Sequence, residues 1–135
     1  MAAPVELLKH VPLFHGLSEK ELKTLANNFT ERTFTEGQEL THEGSGGVGF
    51  FVIETGEARV TVDGQERRML GPGDYFGEIA LIDDGPRSAT VTADSELRCW
   101  GLTSWEFKPI VETNAEIAWK LLEALAKRLR SIEQR

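Results

Sequence analysis

The sequence predicts a mainly β domain with helices at both ends (an α+β class), its middle folded into a closed roll or barrel of antiparallel strand pairs. Three observations carry this. Between residues 31 and 102, short β-rich segments alternate with turn residues at close spacing, the pattern of rolls and barrels whose closure removes exposed edges. Asp63-Gly64, between two alternating segments, is a two-residue hairpin signal. Before residue 31 and after 102, two Ser/Thr-x-x-Glu boxes and apolar residues at helical spacing replace that pattern.

Residues 5–30 read as helical. Leu7, Leu8 and Val11 share a face, Pro12 ends the first helix, and Leu13-Phe14-His15-Gly16 bends the chain. Ser18 to Glu21 forms a capping box with Leu17 and Leu22 as its staple, and the helix runs on through Leu25, Ala26 and Phe29. Strands follow at 32–35, 38–42, 48–54, 57–62, 65–70, 89–93 and 96–102. Ser45-Gly46-Gly47 lies in the loop before the most apolar of them, and Gly71-Pro72-Gly73-Asp74 makes a further turn. Thr103 to Glu106 is the second capping box, stapled by Leu102 and Phe107. Pro109 should weaken or bend that helix, and Asn114 caps a last helix over 115–133. Along it Ala118, Leu122, Leu125, Leu129 and Ile132 form a short heptad seam, widened by Ile117 and Leu121. Cys99 reads as a buried thiol. Trp100, Trp105 and Trp119 read as core or helix-packing residues, with Trp119 placed off the seam to meet the roll.

The chain has 135 residues, 15 basic and 22 acidic, for a net charge of −7. That is one domain, with an acidic balance unlike a nucleic-acid surface. No apolar run reaches membrane-spanning length, no signal peptide is apparent, and a lone cysteine fits a reducing, cytoplasmic setting. His10, His15 and His42 lack metal-ligand spacing. No nucleophile–base pair is recognisable, and a cupin-type enzyme would need more inward histidines than His42 alone, so catalysis is not expected. A DNA-binding helix-turn-helix after the last helix is not expected of a chain that stops at Arg135, an objection that disappears in a longer chain.

The chemistry concentrates at 75–90. Gly77 lets backbone approach a ligand closely, residues 78–82 can form one helical turn whose amides attract an anion, and Arg87 can meet a phosphate with paired hydrogen bonds. Glu78 can accept from hydroxyls. Phosphate plus sugar hydroxyls point to a nucleotide. The competing reading makes Arg87 a structural partner of Glu78, Asp83 or Asp84. Asp83-Asp84 reads as a solvated loop, because carboxylates oppose a bound phosphate.

Phe76-Gly77-Glu78-Ile79-Ala80-Leu81 followed by Pro86-Arg87-Ser88-Ala89-Thr90 resembles the phosphate-binding cassette of the cyclic nucleotide-binding domain family. Pro12-Leu13-Phe14, Glu43-Gly44, Thr55-Gly56-Glu57 and the Gly71–Phe76 run, in order, extend the resemblance over nearly the whole chain. It implies an eight-stranded jelly-roll-like β-roll (a double-stranded β-helix) over 31–102, N-terminal helices over 1–30 and two C-terminal helices over 103–135, in one domain. It implies that Glu78 accepts from the ribose 2′-hydroxyl and Arg87 pairs with the cyclic phosphate. The backbone at Ile79, Ala80, Ser88 and Ala89 helps hold phosphate or ribose, and Gly77 allows close approach. Val60 would wall the base, and Arg128, Leu129, Ile132 and Glu133 on the last helix would cover it. Ser88, where cGMP-preferring members often carry threonine, tilts the choice to cAMP over cGMP. Val48-Gly49 departs from the acidic residue usual in that loop, and Pro109 is unusual in the penultimate helix. The function so implied is a non-enzymatic regulatory sensor that binds a cyclic nucleotide as ligand, with no cofactor, no metal and no contact of its own with nucleic acid or membrane. The alternative is a nucleotide-independent interaction scaffold, dimerising through the final helix or binding an unknown effector.

Overall fold

The structure is a computed structural model that describes residues 2–44, 49–83 and 87–134. The expectations for Ser45, Gly46, Gly47 and Val48, and for Asp84, Gly85 and Pro86, lie outside the described residues. Element order is α1 (Val5–Leu8), a 3-10 turn (Pro12–Phe14), α2 (Glu19–Ala26), β1 (Thr30–Phe34), β2 (Glu39–Thr41), β3 (Phe50–Thr55), β4 (Ala58–Val62), β5 (Gln65–Leu70), β6 (Tyr75–Phe76), a second 3-10 turn (Glu78–Leu81), β7 (Thr90–Ala93), β8 (Leu97–Leu102), α3 (Ser104–Thr113) and α4 (Ala115–Glu133). The strands form two antiparallel four-stranded sheets, ordered β1-β8-β3-β6 and β2-β7-β4-β5. This is the β-roll with flanking helices, in the α+β class that the sequence predicts.

Local chemistry explains the joints. Asp63 and Gly64 both take positive φ, 52° and 77°, which a two-residue hairpin with right-handed strand twist requires. Both capping boxes form: Ser18 with Glu21, and Thr103 with Glu106, each side chain bonding the other's backbone N–H. Two apolar clusters result. One fills the roll around Ile53, Val60, Phe76, Leu97 and Cys99. The other joins β3 to the helices, with Phe50 fully buried and meeting Phe14 and Phe29 edge-on at 5.8 and 6.0 Å.

Several expectations are corrected. The first helix ends at Leu8, and Pro12 opens a 3-10 turn, where its missing N–H costs nothing. α2 stops at Ala26, and Phe29 enters the core from the following turn. Pro109 sits within α3, which runs unbroken to Thr113. Asn114 gives α4 no side-chain cap; its Nδ2 donates backward to the Ile110 carbonyl, closing α3 instead. On α4 the apolar stripe divides: Ile117 and Leu121 are buried and Leu125 packs half-buried on the core, whereas Leu122, Leu129 and Ile132 are more than half exposed. Leu13 and Phe14 belong to the cluster that takes Ile117 and Leu121, which fixes the helix's rotation. Trp100 is buried, its Nε1–H donating to Glu54 Oε1 at 2.8 Å, but Trp105 and Trp119 are 65% and 63% exposed and do not serve as packing residues.

Candidate functional site

The roll leaves one cavity of about 710 Å3 on the cassette side, within the ~300–1,000 Å3 range of small-molecule sites. Its floor begins at Gly77, which links β6 to the second 3-10 turn. Gly77 has φ +85°, and a Cβ there would run into the Arg87 guanidinium and lie 2.7 Å from the Gly49 carbonyl oxygen. Only glycine fits both demands. The turn that follows folds Ala80 N–H onto the Gly77 carbonyl at 3.0 Å. That amide is bonded inside the turn. The Glu78 and Ile79 amides donate to no carbonyl among the described residues.

Arg87 lines the same cavity, and its backbone is fixed by Gly44 N–H donating to the Arg87 carbonyl at 2.9 Å. Its Nη2–H donates to the Gly49 carbonyl, while Nε is buried with no hydrogen-bond partner among the described residues. Burial pushes the guanidinium's pKa down, and nearby Glu78 opposes this in part. The structural reading of Arg87 fails for Glu78 and Asp83: among the described residues Arg87 makes no ion pair. A half-buried guanidinium with no carboxylate partner and a buried, unpartnered Nε among the described residues fits an anion site.

Glu78 is instead held by α4. Arg128 Nη2–H donates to Glu78 Oε1 at 3.1 Å, with the glutamate side chain only 14% exposed. Glu78 and burial together push the Tyr75 phenol up, burial being the larger cause.

Of the residues the sequence nominated, Gly77, Glu78, Ile79, Ala80, Arg87, Ser88, Ala89, Val60 and Arg128 all line this one cavity. Leu129 and Ile132 do not line it: Leu129 points to solvent and Ile132 faces a separate cavity beside Pro12. Asp83 is exposed, as expected of a solvated loop, yet it stands on the cavity lining. Thr41, Arg68, Leu70 and Tyr75 also line the cavity and were not foreseen. Arg68 is instructive. The hairpin register alone pairs Val62 with Gln65 and Thr61 with Glu66, but an irregularity then shifts the ladder so that Val60 faces Arg68. Nothing in the sequence marks that shift.

The family model of the cyclic nucleotide-binding domain matches residues 31–114. The chain belongs to that family. As a cyclic nucleotide-binding domain it is similar to solved and curated relatives on both sides of the cAMP/cGMP divide. The N-terminal domain of a transcriptional regulator from Streptomyces coelicolor A3(2) superposes with a TM-score of 0.87 at 33% identity, covering 95% of each chain. The regulatory domain of Toxoplasma gondii PKA, solved with cAMP, gives 0.70 at 35% identity over 78% of this chain and 42% of that one. The cyclic AMP receptor protein of Thermus thermophilus is 31% identical over 131 residues, 93% of this chain and 61% of its own length. The cGMP-dependent protein kinase of Toxoplasma gondii is 38% identical over 94 residues, 70% of this chain and 10% of the kinase. The chain therefore spans less than two thirds of the length of these curated relatives. No helix among the described residues is long and apolar enough to cross a membrane.

Proposed function

We propose that the chain binds cAMP in the cavity between the cassette and α4, and acts as a regulatory sensor unit of the cytoplasm rather than as a catalyst. The observation that carries this is Arg87: a half-buried guanidinium whose buried Nε has no partner among the described residues, in a cavity of nucleotide size that also holds Gly77 and Glu78. The cyclic phosphate takes Arg87 and the backbone around Ile79, Ser88 and Ala89. The ribose 2′-hydroxyl donates to Glu78, and the base lies against Val60. The end of α4 then closes over the base. Closure follows only in so far as the ligand binds the closed state more tightly than the open one. Ser88 favours cAMP over cGMP, while the relatives name both nucleotides. Titration with fluorescent cAMP and cGMP tests this. Arg87→Ala should weaken cAMP binding by about 100-fold or more, the scale of two lost charge-assisted hydrogen bonds. No binding up to millimolar nucleotide by a folded wild type would overturn it.

A second reading is favoured by one observation. Trp119, Leu122, Leu129 and Ile132 stand more than half exposed along α4, and an apolar stripe of this kind suits a second copy of the chain. In that reading α4 pairs two copies with no need of nucleotide. Light scattering with and without cAMP separates constitutive from ligand-linked pairing.

A further inference from the structure

The C-terminal half of α4 has little to hold it. Its last buried apolar residue is Leu121. Leu129 and Ile132 are 58% and 53% exposed. A second cavity, of about 600 Å3, is lined by Ser131 and Ile132 on α4 and by Pro12, His15 and Gly16 beside it. Beyond Leu125, among the described residues, one side-chain bond ties α4 to the rest of the chain: Arg128 Nη2–H to Glu78 Oε1. The N-terminal half has, besides its buried apolar pair, Lys120 Nζ on Glu21 Oε1 at 2.7 Å. The Glu78 carboxylate thus has two claimants, Arg128 from α4 and, on the reading above, the ribose of a bound nucleotide.

We infer that Arg128 is a latch, its guanidinium occupying the ribose acceptor, so that a cyclic nucleotide must loosen it to bind and thereby frees the end of α4 from Glu78 before that end settles over the base. This rests on a cyclic nucleotide being the ligand. A neutral 2′-hydroxyl makes a weaker bond to a carboxylate than a guanidinium does. The ribose therefore displaces Arg128 only with the help of the phosphate anchored at Arg87. The two events are reciprocal: the factor by which the latch weakens nucleotide binding is the factor by which nucleotide weakens the latch. Because Arg128 is 38% exposed, solvent screens the pair and that factor is about two- to fivefold.

The test has one arm without ligand and one with it. Without nucleotide, Arg128→Ala and Glu78→Gln should each speed amide hydrogen exchange over residues 126–134 and leave exchange in the roll unchanged. With nucleotide, Arg128→Ala should bind cAMP about two- to fivefold more tightly than wild type, and 2′-deoxy-cAMP no more tightly. Unchanged exchange over 126–134, cAMP binding equal to or weaker than wild type, or an equal gain for both nucleotides would each overturn the latch. Failure of the wild type to bind either nucleotide overturns the ligand reading, and with it the latch. That outcome is told apart from failure of the latch alone by the exchange arm, which needs no ligand.

Discussion

The two walls of the cavity are built on different terms. On one side Val60 and Phe76 belong to the closed apolar cluster of the roll, on strands laced into antiparallel ladders. On the other side α4 has its last fully buried residue at Leu121 and its last core contacts at Ala124 and Leu125, and it reaches the cavity through one ion pair among the described residues, at Arg128. A wall of the first kind resists displacement, because moving it breaks packing and backbone bonds together. A wall of the second kind yields for the cost of one partly solvated pair. On the function proposed above, α4 is the wall at which ligand binding energy is turned into motion at least cost.

Four expectations press on this contrast. The largest concerns the residue that joins roll to helices. Phe50→Ala removes a fully buried ring held by Phe14 and Phe29 and should cost ~3–5 kcal/mol in chemical denaturation; a loss below ~1 kcal/mol would mean that β3 and the helices are not one packed unit. Next comes a paired measurement within α4. Leu121→Ala should cost ~2–4 kcal/mol and Leu129→Ala no more than ~0.5 kcal/mol, since the first is 4% exposed and the second 58%. Equal losses would erase the difference between the two halves of the helix.

The third tests the stiff wall by pH. Burial pushes the Cys99 thiol up to about 12. The folded protein thus keeps that proton at pH values where the unfolded chain has lost it. The stability this contributes is full below the ordinary thiol range and is lost as pH rises from there toward about 12. Wild type should lose up to ~1.4 kcal/mol per pH unit in that window relative to Cys99→Ala, read from urea melts at matched pH. Parallel pH profiles would place the thiol in contact with water. The smallest effect is at the start of α3. Thr103→Ala breaks a capping box and should cost about 1 kcal/mol, seen as a lower denaturation midpoint.

The stiff wall was also the legible one. Asp63-Gly64, both capping boxes and the alternation in β4 act over a few residues, so local sequence determines them, and Gly77, Glu78 and Arg87 were named from their types and spacing. The soft wall was not legible. Ile117/Leu121 and the Leu122/Leu129/Ile132 seam are both at helical spacing, and only the distant Leu13–Phe14 segment decides which row is buried. The Arg128–Glu78 bond joins residues fifty positions apart, and no local pattern announces it. Asn114 has the residue type of a helix cap, but its side chain serves the helix behind it rather than the one ahead.

The most direct measurement is a two-dimensional amide NMR titration of the protein with cAMP. Binding in the cavity predicts the largest shifts at Ile79, Ser88, Ala89 and the Arg87 side chain, with a second group over residues 126–134 of α4. Shifts that leave Ile79 and Arg87 in place, and fall instead on the far sheet face around Glu39, His42 and Arg59, would contradict it.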